Sequence, residues 1–342
     1  MAPNAGENDL SVGEQRLKPI KKPENREYKI VYWNIVVFSY YHITVMLCYY
    51  YYNEFPIRQT ILMYSILITF EFFPEMITLW LCGTGIVAGS HRLWSHKCYK
   101  ARKPLQLFLM ISHSLANQHS VIHWARNHRL HHKYSDTDAD PHNATRGFFY
   151  SHVGWLLVKK HPEAREKIKS IDVSDLMSNP ILHFQHKHNL WFLPLIAFVM
   201  PTVIPMYIWG ETLTAAWNVN MFKYVMNLNI TFMINSVAHM WGNRPYDKNI
   251  MASQNRSLFY LTFGEGSHNY HHVFPWDYRS DEIGFFNITT KFIDFCAWIG
   301  QAYDLKVADE EMVKARVKRT GDGSLFEDML RLKTHEILQK RK

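Results

Sequence analysis

At 342 residues the chain is long enough for two domains or one large one, and a formal charge of +8 with a pI near 9.1 makes it basic. Apolar residues make up 47% and aromatic ones 15%, yet mean hydropathy is only −0.23, so the apolar residues are bunched into blocks between strongly polar stretches. Such blocks favour an anionic membrane face or an acidic partner over nucleic acid, and no nucleic-acid role is expected.

Residues 1–29 are polar and basic, so they read as a disordered cytosolic tail rather than a cleavable signal peptide. A first uncharged block, about 31–52, is long enough to cross a bilayer, and its tyrosines fit an aromatic belt. After a short loop over Asn53–Thr60, Ile61–Phe70 is expected at the membrane interface. Glu71, Pro74 and Glu75 separate it from a second span, about 72–90, because two carboxylates in hydrocarbon are costly. From His91 to Asn189 the chain is polar and histidine-rich. Pro104–Ile122 fits an amphipathic helix lying on the membrane, and Lys133–Asn143 reads as a loop. The third span is about 190–209, with Pro201 and Pro205 predicting a kink. The fourth, about 216–238, carries Lys223, Asn227, Asn229 and Asn235, polar residues expected to face a protein interior or mark function, with snorkelling of Lys223 towards the lumenal interface as the alternative. The domain that results covers 30–304, and the charged tail 305–342 has helical periodicity.

Lys and Arg gather in both termini and the central loop, while the two short turns hold only Arg58. The positive-inside rule places both termini and the central loop in the cytosol. Cys48, Cys82, Cys98 and Cys296 form no CxxC, which fits a reducing compartment. The sequons at Asn143, Asn229, Asn255 and Asn287 are then expected to go unused.

Three histidine boxes carry the chemistry. His268, His271 and His272 stand at i, i+3 and i+4, on one helix face, and His128, His131 and His132 repeat that spacing. His91 and His96 are about 140° out of phase on an ideal helix, so the helix is expected to end between them. Eight imidazoles exceed the four ligands of a tetrahedral zinc, and two metal ions are the economical reading.

The segments HRLWSH, WARNHRLHHKYSDTDADPHN, RGFFYSHVGWLLVKKHP, NSVAHMWG and GEGSHNYHHVFPWDY resemble the membrane acyl-CoA desaturase family of the stearoyl-CoA desaturase type. VKRTGDG and the overall spacing are most similar to its insect, moth-type branch. The resemblance implies an all-α membrane protein with four transmembrane helices and a cytosolic helical cap holding a di-iron centre. It adds His239 as a ninth ligand and Asn235 as one acting through water. It implies two Fe2+ ions and O2 as co-substrate. Cytochrome b5 and its NADH-dependent reductase are the implied electron donors, and the endoplasmic reticulum membrane the implied location. The acyl tunnel would be kinked by Gln118, Trp124 and Thr231 and would end near Leu79 and Gly83. The CoA group would be held by Arg126, Asn127, Lys159 and Lys160. The implied reaction inserts a double bond into a fatty acyl-CoA during unsaturated fatty acid biosynthesis, pheromone precursors being one outlet.

The chain departs from that pattern at several positions. Asn127 replaces an aspartate, His123 stands where an acid is common, and His119 where an amide is. Phe232 replaces a tryptophan and Ser267 a bulky aromatic. These leave chain length, bond position and the exclusivity of desaturation open, with an acetylenase, conjugase or hydroxylase as the near alternative. A zinc-binding transporter or scaffold is the rival from another class. His183, His186 and His188 read as a solvated face, while His42, His113, His142, His152, His161 and His335 receive no role.

Overall fold

The computed structural model describes residues 28–52, 72–281 and 287–325. The expectations for residues 1–27, for the loop Asn53–Thr60 and the stretch Ile61–Phe70, and for 326–342 lie outside them. The described chain is helical apart from a ladder of β1 (Lys100–Ala101) with β2 (Ala302–Tyr303) and a few isolated bridges.

Helix α1 (Tyr32–Tyr52) packs on α7 (Leu213–Asn235), where Phe38 and Tyr41 meet Tyr224, Leu228 and Phe232. Helix α2 is α-helical over Phe72–Thr84 and continues as a π-helix over Gly85–Ser95. It crosses α3 (Lys103–Leu115) at Gly85, where a Cβ would lie 2.1 Å from the His113 backbone N, so only glycine allows the approach.

The expected helix 104–122 stops at Leu115. Asn117 and His119 take positive φ (46° and 64°), and Ser120 caps a new helix, α4 (Val121–Tyr134). The N-terminus of α4 is fixed by α5 (Pro180–Lys187), whose Gln185 Oε1 accepts from Val121 N at 2.9 Å. His186 is held here too, its Nδ1 2.7 Å from the Ser120 hydroxyl. That residue therefore belongs to a helix cap, not to a purely solvated face.

Helix α6 (Asn189–Trp209) is, among the described residues, the one long and apolar enough to cross a membrane, with a mean hydropathy of 1.8. The expected kink takes the form of a π-helical stretch over Leu195–Val199, just before Pro201. Proline has no N–H for the Ala197 carbonyl four residues earlier. Asn220 Nδ2 on α7 donates to that carbonyl instead, at 3.2 Å. Lys223 on the same helix is 3% exposed, so it is buried in the bundle and does not snorkel.

Beyond α7 the backbone leaves helical geometry at Ser236 and resumes as α8 (Val237–Met240). Box three forms the short α9 (His268–Val273), and α10 (Ile288–Trp298) follows. Helix α11 (Glu310–Thr320) buries Val313 and Val317 against Tyr246, Tyr270 and Phe274, so the expected amphipathic helix docks beneath box three.

Candidate metal centre

As expected, the helix ends within box one, with His91 inside it and His96 as its C-cap. The π-helix carries on through Ser95, and His96 N–H bonds to His91 O at 3.1 Å, the five-residue bond of a π-turn. That wider winding brings the rings of His91 and His96 to 5.0 Å, which a regular α-helix would not. Box two lies on regular α-helix, as expected. Box three is six residues long and would not hold by itself. Asn269 anchors it, accepting from Tyr246 N (2.8 Å) and Asp247 N (3.1 Å) and donating to Asp247 O (3.0 Å) and Ala252 O (2.8 Å). Gly264, at φ 113°, and Gly266, where a Cβ would meet Phe259 N at 2.4 Å, shape the turn into it.

The nine histidines fall into two groups whose candidate ligand atoms lie within 4.8 Å of one another. One holds His91, His96, His128, His132 and His271; the other holds His131, His239, His268 and His272. Within the first, the Nε2 atoms of His91 and His271 are 2.9 Å apart, those of His96 and His128 2.8 Å, and those of His271 and His132 3.0 Å. In the second, His239 and His268 approach to 2.9 Å, His272 and His268 to 3.0 Å, and His131 and His272 to 3.3 Å.

His268, His271 and His272 each face two other Nε2 atoms, and one proton cannot serve both contacts. A cation among converging lone pairs can. Imidazole nitrogens at about 2.0–2.1 Å from one ion lie about 3 Å apart when at right angles, which is the spacing found. Burial, together with neighbouring imidazoles, lowers the pKa of His91, His128, His132, His268, His271 and His272 well below the ordinary value, and His96 to about 3. They are therefore neutral, the form that ligates metal. Burial also opposes charge on His239, but the Asp136 carboxylate carries its pKa above the usual value.

Two carboxylates orient the second group. His131 Nδ1 donates to Asp140 Oδ2 at 2.8 Å, and His239 Nδ1 lies 3.1 Å from both oxygens of Asp136. Each bond fixes the tautomer that turns Nε2 inward. Asp140 Oδ2 also accepts from Asp136 N at 2.8 Å. Sequence reading took both aspartates for loop residues; the signal was their position a few residues after box two, in a run also holding His142, whose Nδ1 is 3.5 Å from Asp140.

An apolar cavity of about 210 Å³ opens from these rings. His91, His128, His268, His271 and Asn235 line its head, and Leu79 and Gly83 line its wall on α2. Trp124 and Thr231 border it too, joined through Gln118: Trp124 Nε1 donates to Gln118 Oε1 (3.2 Å), whose Nε2 donates to Thr231 Oγ1 (3.0 Å). On the other side of α4, Lys160 Nζ donates to Asn127 Oδ1, and Asn127 Nδ2 donates to His123 O at 2.7 Å. Arg126 Nε donates to Ile168 O at 3.1 Å. Burial, then the charge of Arg126, lowers the Lys160 pKa to about 8. Lys159 is exposed, with its backbone N–H on Lys29 O. Ser267 is buried and donates to Asp281 Oδ1 at 3.0 Å.

A helical scaffold that gathers nine imidazoles into two adjoining groups, each able to hold a metal ion, at the head of an apolar cavity is the arrangement of a histidine-rich metal-binding protein. The chain belongs to the fatty acid desaturase family, whose model matches residues 72–281. It is 54% identical over 330 residues to an acyl-CoA Delta(11) desaturase of Choristoneura rosaceana, covering 95% of each chain. To a (11Z)-hexadec-11-enoyl-CoA conjugase of Bombyx mori it is 51% identical over 300 residues (87% of this chain, 88% of that one). To stearoyl-CoA desaturase 5 of Bos taurus it is 52% identical over 249 residues (71% and 73%).

Proposed function

We propose that this chain is an acyl-CoA desaturase whose two imidazole groups hold two iron ions, and that it inserts a double bond into a fatty acyl-CoA. The observation that carries the reading is the cavity joining four of the nine histidines to Leu79 and Gly83. A di-iron centre supplies, with O2 and two electrons, the oxidising power to remove two hydrogens from unactivated methylenes, which no side chain can do by acid–base chemistry. The protein's part is position. His91, His96, His128, His132 and His271 would hold one ion, and His131, His239, His268 and His272 the other, with Asn235 acting through water. Gln118 and Thr231 pin Trp124 across the cavity, which bends the chain and fixes the carbons presented. Lys160, Arg126, Asn127 and Lys159 would hold the CoA phosphates.

The membrane reading follows the same lines. Helices α1, α2, α6 and α7 stand where four spans are expected, and the exposed apolar side chains of α1 and α6 suit lipid. The charge of the loops supports cytosolic termini, while the endoplasmic reticulum location and cytochrome b5 with its NADH-dependent reductase as donors rest on the resemblance to the family. The conjugase among the relatives gives a second reading, formation of a conjugated diene. Expression in desaturase-deficient yeast, with mass-spectrometric location of double bonds, separates them. A single new double bond supports desaturation and a conjugated pair the second reading. Tightly held zinc with no oxygen consumption would defeat both.

A further inference from the structure

His152 received no role in the sequence, yet it sits at a junction. It lies in the π-turn Tyr150–Gly154, half-buried, with its ring stacked on Phe148 (centroids 5.1 Å apart, 17° between planes) and edge-on to Phe232 (5.7 Å). Both ring nitrogens are engaged. Nε2 is 3.2 Å from Asn229 Oδ1, and Nδ1 is 3.0 Å from Ser236 Oγ. An amide oxygen only accepts, so Nε2 carries the proton and Nδ1 accepts from the Ser236 hydroxyl. Ser236 Oγ also lies 2.9 Å from Phe232 O, and its single hydrogen serves one of the two acceptors at a time. The chain of bonds runs on: Asn229 Nδ2 is 3.4 Å from His42 Nε2, and His42 Nδ1 donates to Phe38 O at 2.8 Å. The π-turn and α7 thus meet on this imidazole, and α1 joins them through Asn229.

Ser236 is where α7 stops, its backbone at φ −108° and ψ −71°. It stands between Asn235, which faces the cavity, and His239, whose N–H bonds back to Ser236 O at 3.1 Å. The position of His239 is therefore built on Ser236. We infer that His152 is a positioning residue for the second imidazole group, gripping Ser236 and Asn229 so that the step from α7 to α8 presents His239 and Asn235 correctly. The first group takes no residue from that step.

The inference rests on the two-ion reading, and metal affinity rather than turnover tests it. Full-length protein in detergent is loaded with ferrous iron and titrated with a chelator. His152→Phe keeps the ring and its stacking but loses both hydrogen bonds; one of the two ions should leave about 10-fold more readily while the other is unchanged. His152→Gln offers an amide oxygen to Ser236 and an amide N–H to Asn229, and should restore wild-type retention. The role is overturned if both ions loosen together, if neither does, or if His152→Gln behaves as His152→Phe. Wild-type protein that binds fewer than two ions would instead overturn the two-ion reading itself.

Discussion

Arg92 and Glu265 form an ion pair at 2.5 Å, with the arginine side chain wholly shielded from solvent and the glutamate 12% exposed. One follows the first histidine of box one; the other precedes box three by three residues. The same guanidinium donates to Tyr278 O (2.6 Å) and Thr290 Oγ1 (3.0 Å), so box one is tied to the segments on both sides of box three. Arg129 plays the matching part in box two. It binds both oxygens of Asp175 (2.9 and 2.8 Å) and reaches back to the carbonyl of Trp94 at 2.7 Å. The imidazoles converge because the residue after the first histidine of each of these boxes is a brace.

Removing one partner of the buried pair leaves an uncompensated charge. Arg92→Met should therefore destabilise the protein by about 3–5 kcal/mol, and joint replacement of Arg92 and Glu265 by methionine should recover part of that loss. Thermal unfolding in detergent is the measurement. Replacing Lys169 of the exposed Lys169–Glu166 pair should leave the midpoint where it was.

Gly83 and Gly85 should respond oppositely. A Cβ at Gly83 meets nothing within 4 Å, whereas at Gly85 it would collide with the His113 backbone. Gly83 is thus not a packing glycine, and Gly83→Leu should fill the cavity, shifting preference to shorter acyl chains while bond position counted from the carboxyl end stays fixed. Gly85→Ala should cost activity on every chain length. Product analysis across a series of acyl-CoAs reads both.

Substrate binding should weaken as pH rises through about 8, the value to which burial and Arg126 lower Lys160. The sign is set by the lysine losing its charge, and with it the attraction for phosphate. Its histidine neighbours do not add a step above pH 7: His119 is lowered by burial and by Lys160, and His123 is lowered to about 3. His186 also faces His123. KM measured from pH 7 to 9.5 should rise with little change in kcat, and Lys160→Arg should flatten the rise.

Asp136→Asn and Asp140→Asn should each lower metal affinity or activity by about 10–100-fold, since each carboxylate orients an imidazole. His186→Ala removes only a partner of the Ser120 cap and should leave activity near that of the wild type. Chelator titration beside activity distinguishes a loosened ion from a misplaced substrate.

Ligand spacing was readable in the sequence because it survives local geometry: HX2HH puts three imidazoles on one face wherever an α-helix forms. The helix end inside box one was legible too, but its π-winding was not, because a π-turn has no simple residue signature; Gly85, pressed on α3, and Arg92, bound to Glu265, hold that winding. Asp136 and Asp140 were overlooked because a loop's composition does not say which ring it will face. The break at 116–120 needed the partners that reward it, Gln185 and His186 on α5. For Lys223 the sequence left a protein interior and the lumenal interface both open, since only packing decides between them, and packing buries it.

The docking of α11 beneath box three bears on how the protein is made. Every candidate ligand has left the ribosome's catalytic centre once residue 272 is joined, yet Tyr270 and Phe274 still lack the valines of α11 that cover them. A nascent chain, or one cut short by a stop codon before residue 310, would carry all nine histidines on a box-three turn too short to stand alone. Metal loading should then be a late event in biosynthesis, coupled to completion of the C-terminal helix, and truncated chains should be recovered empty and short-lived.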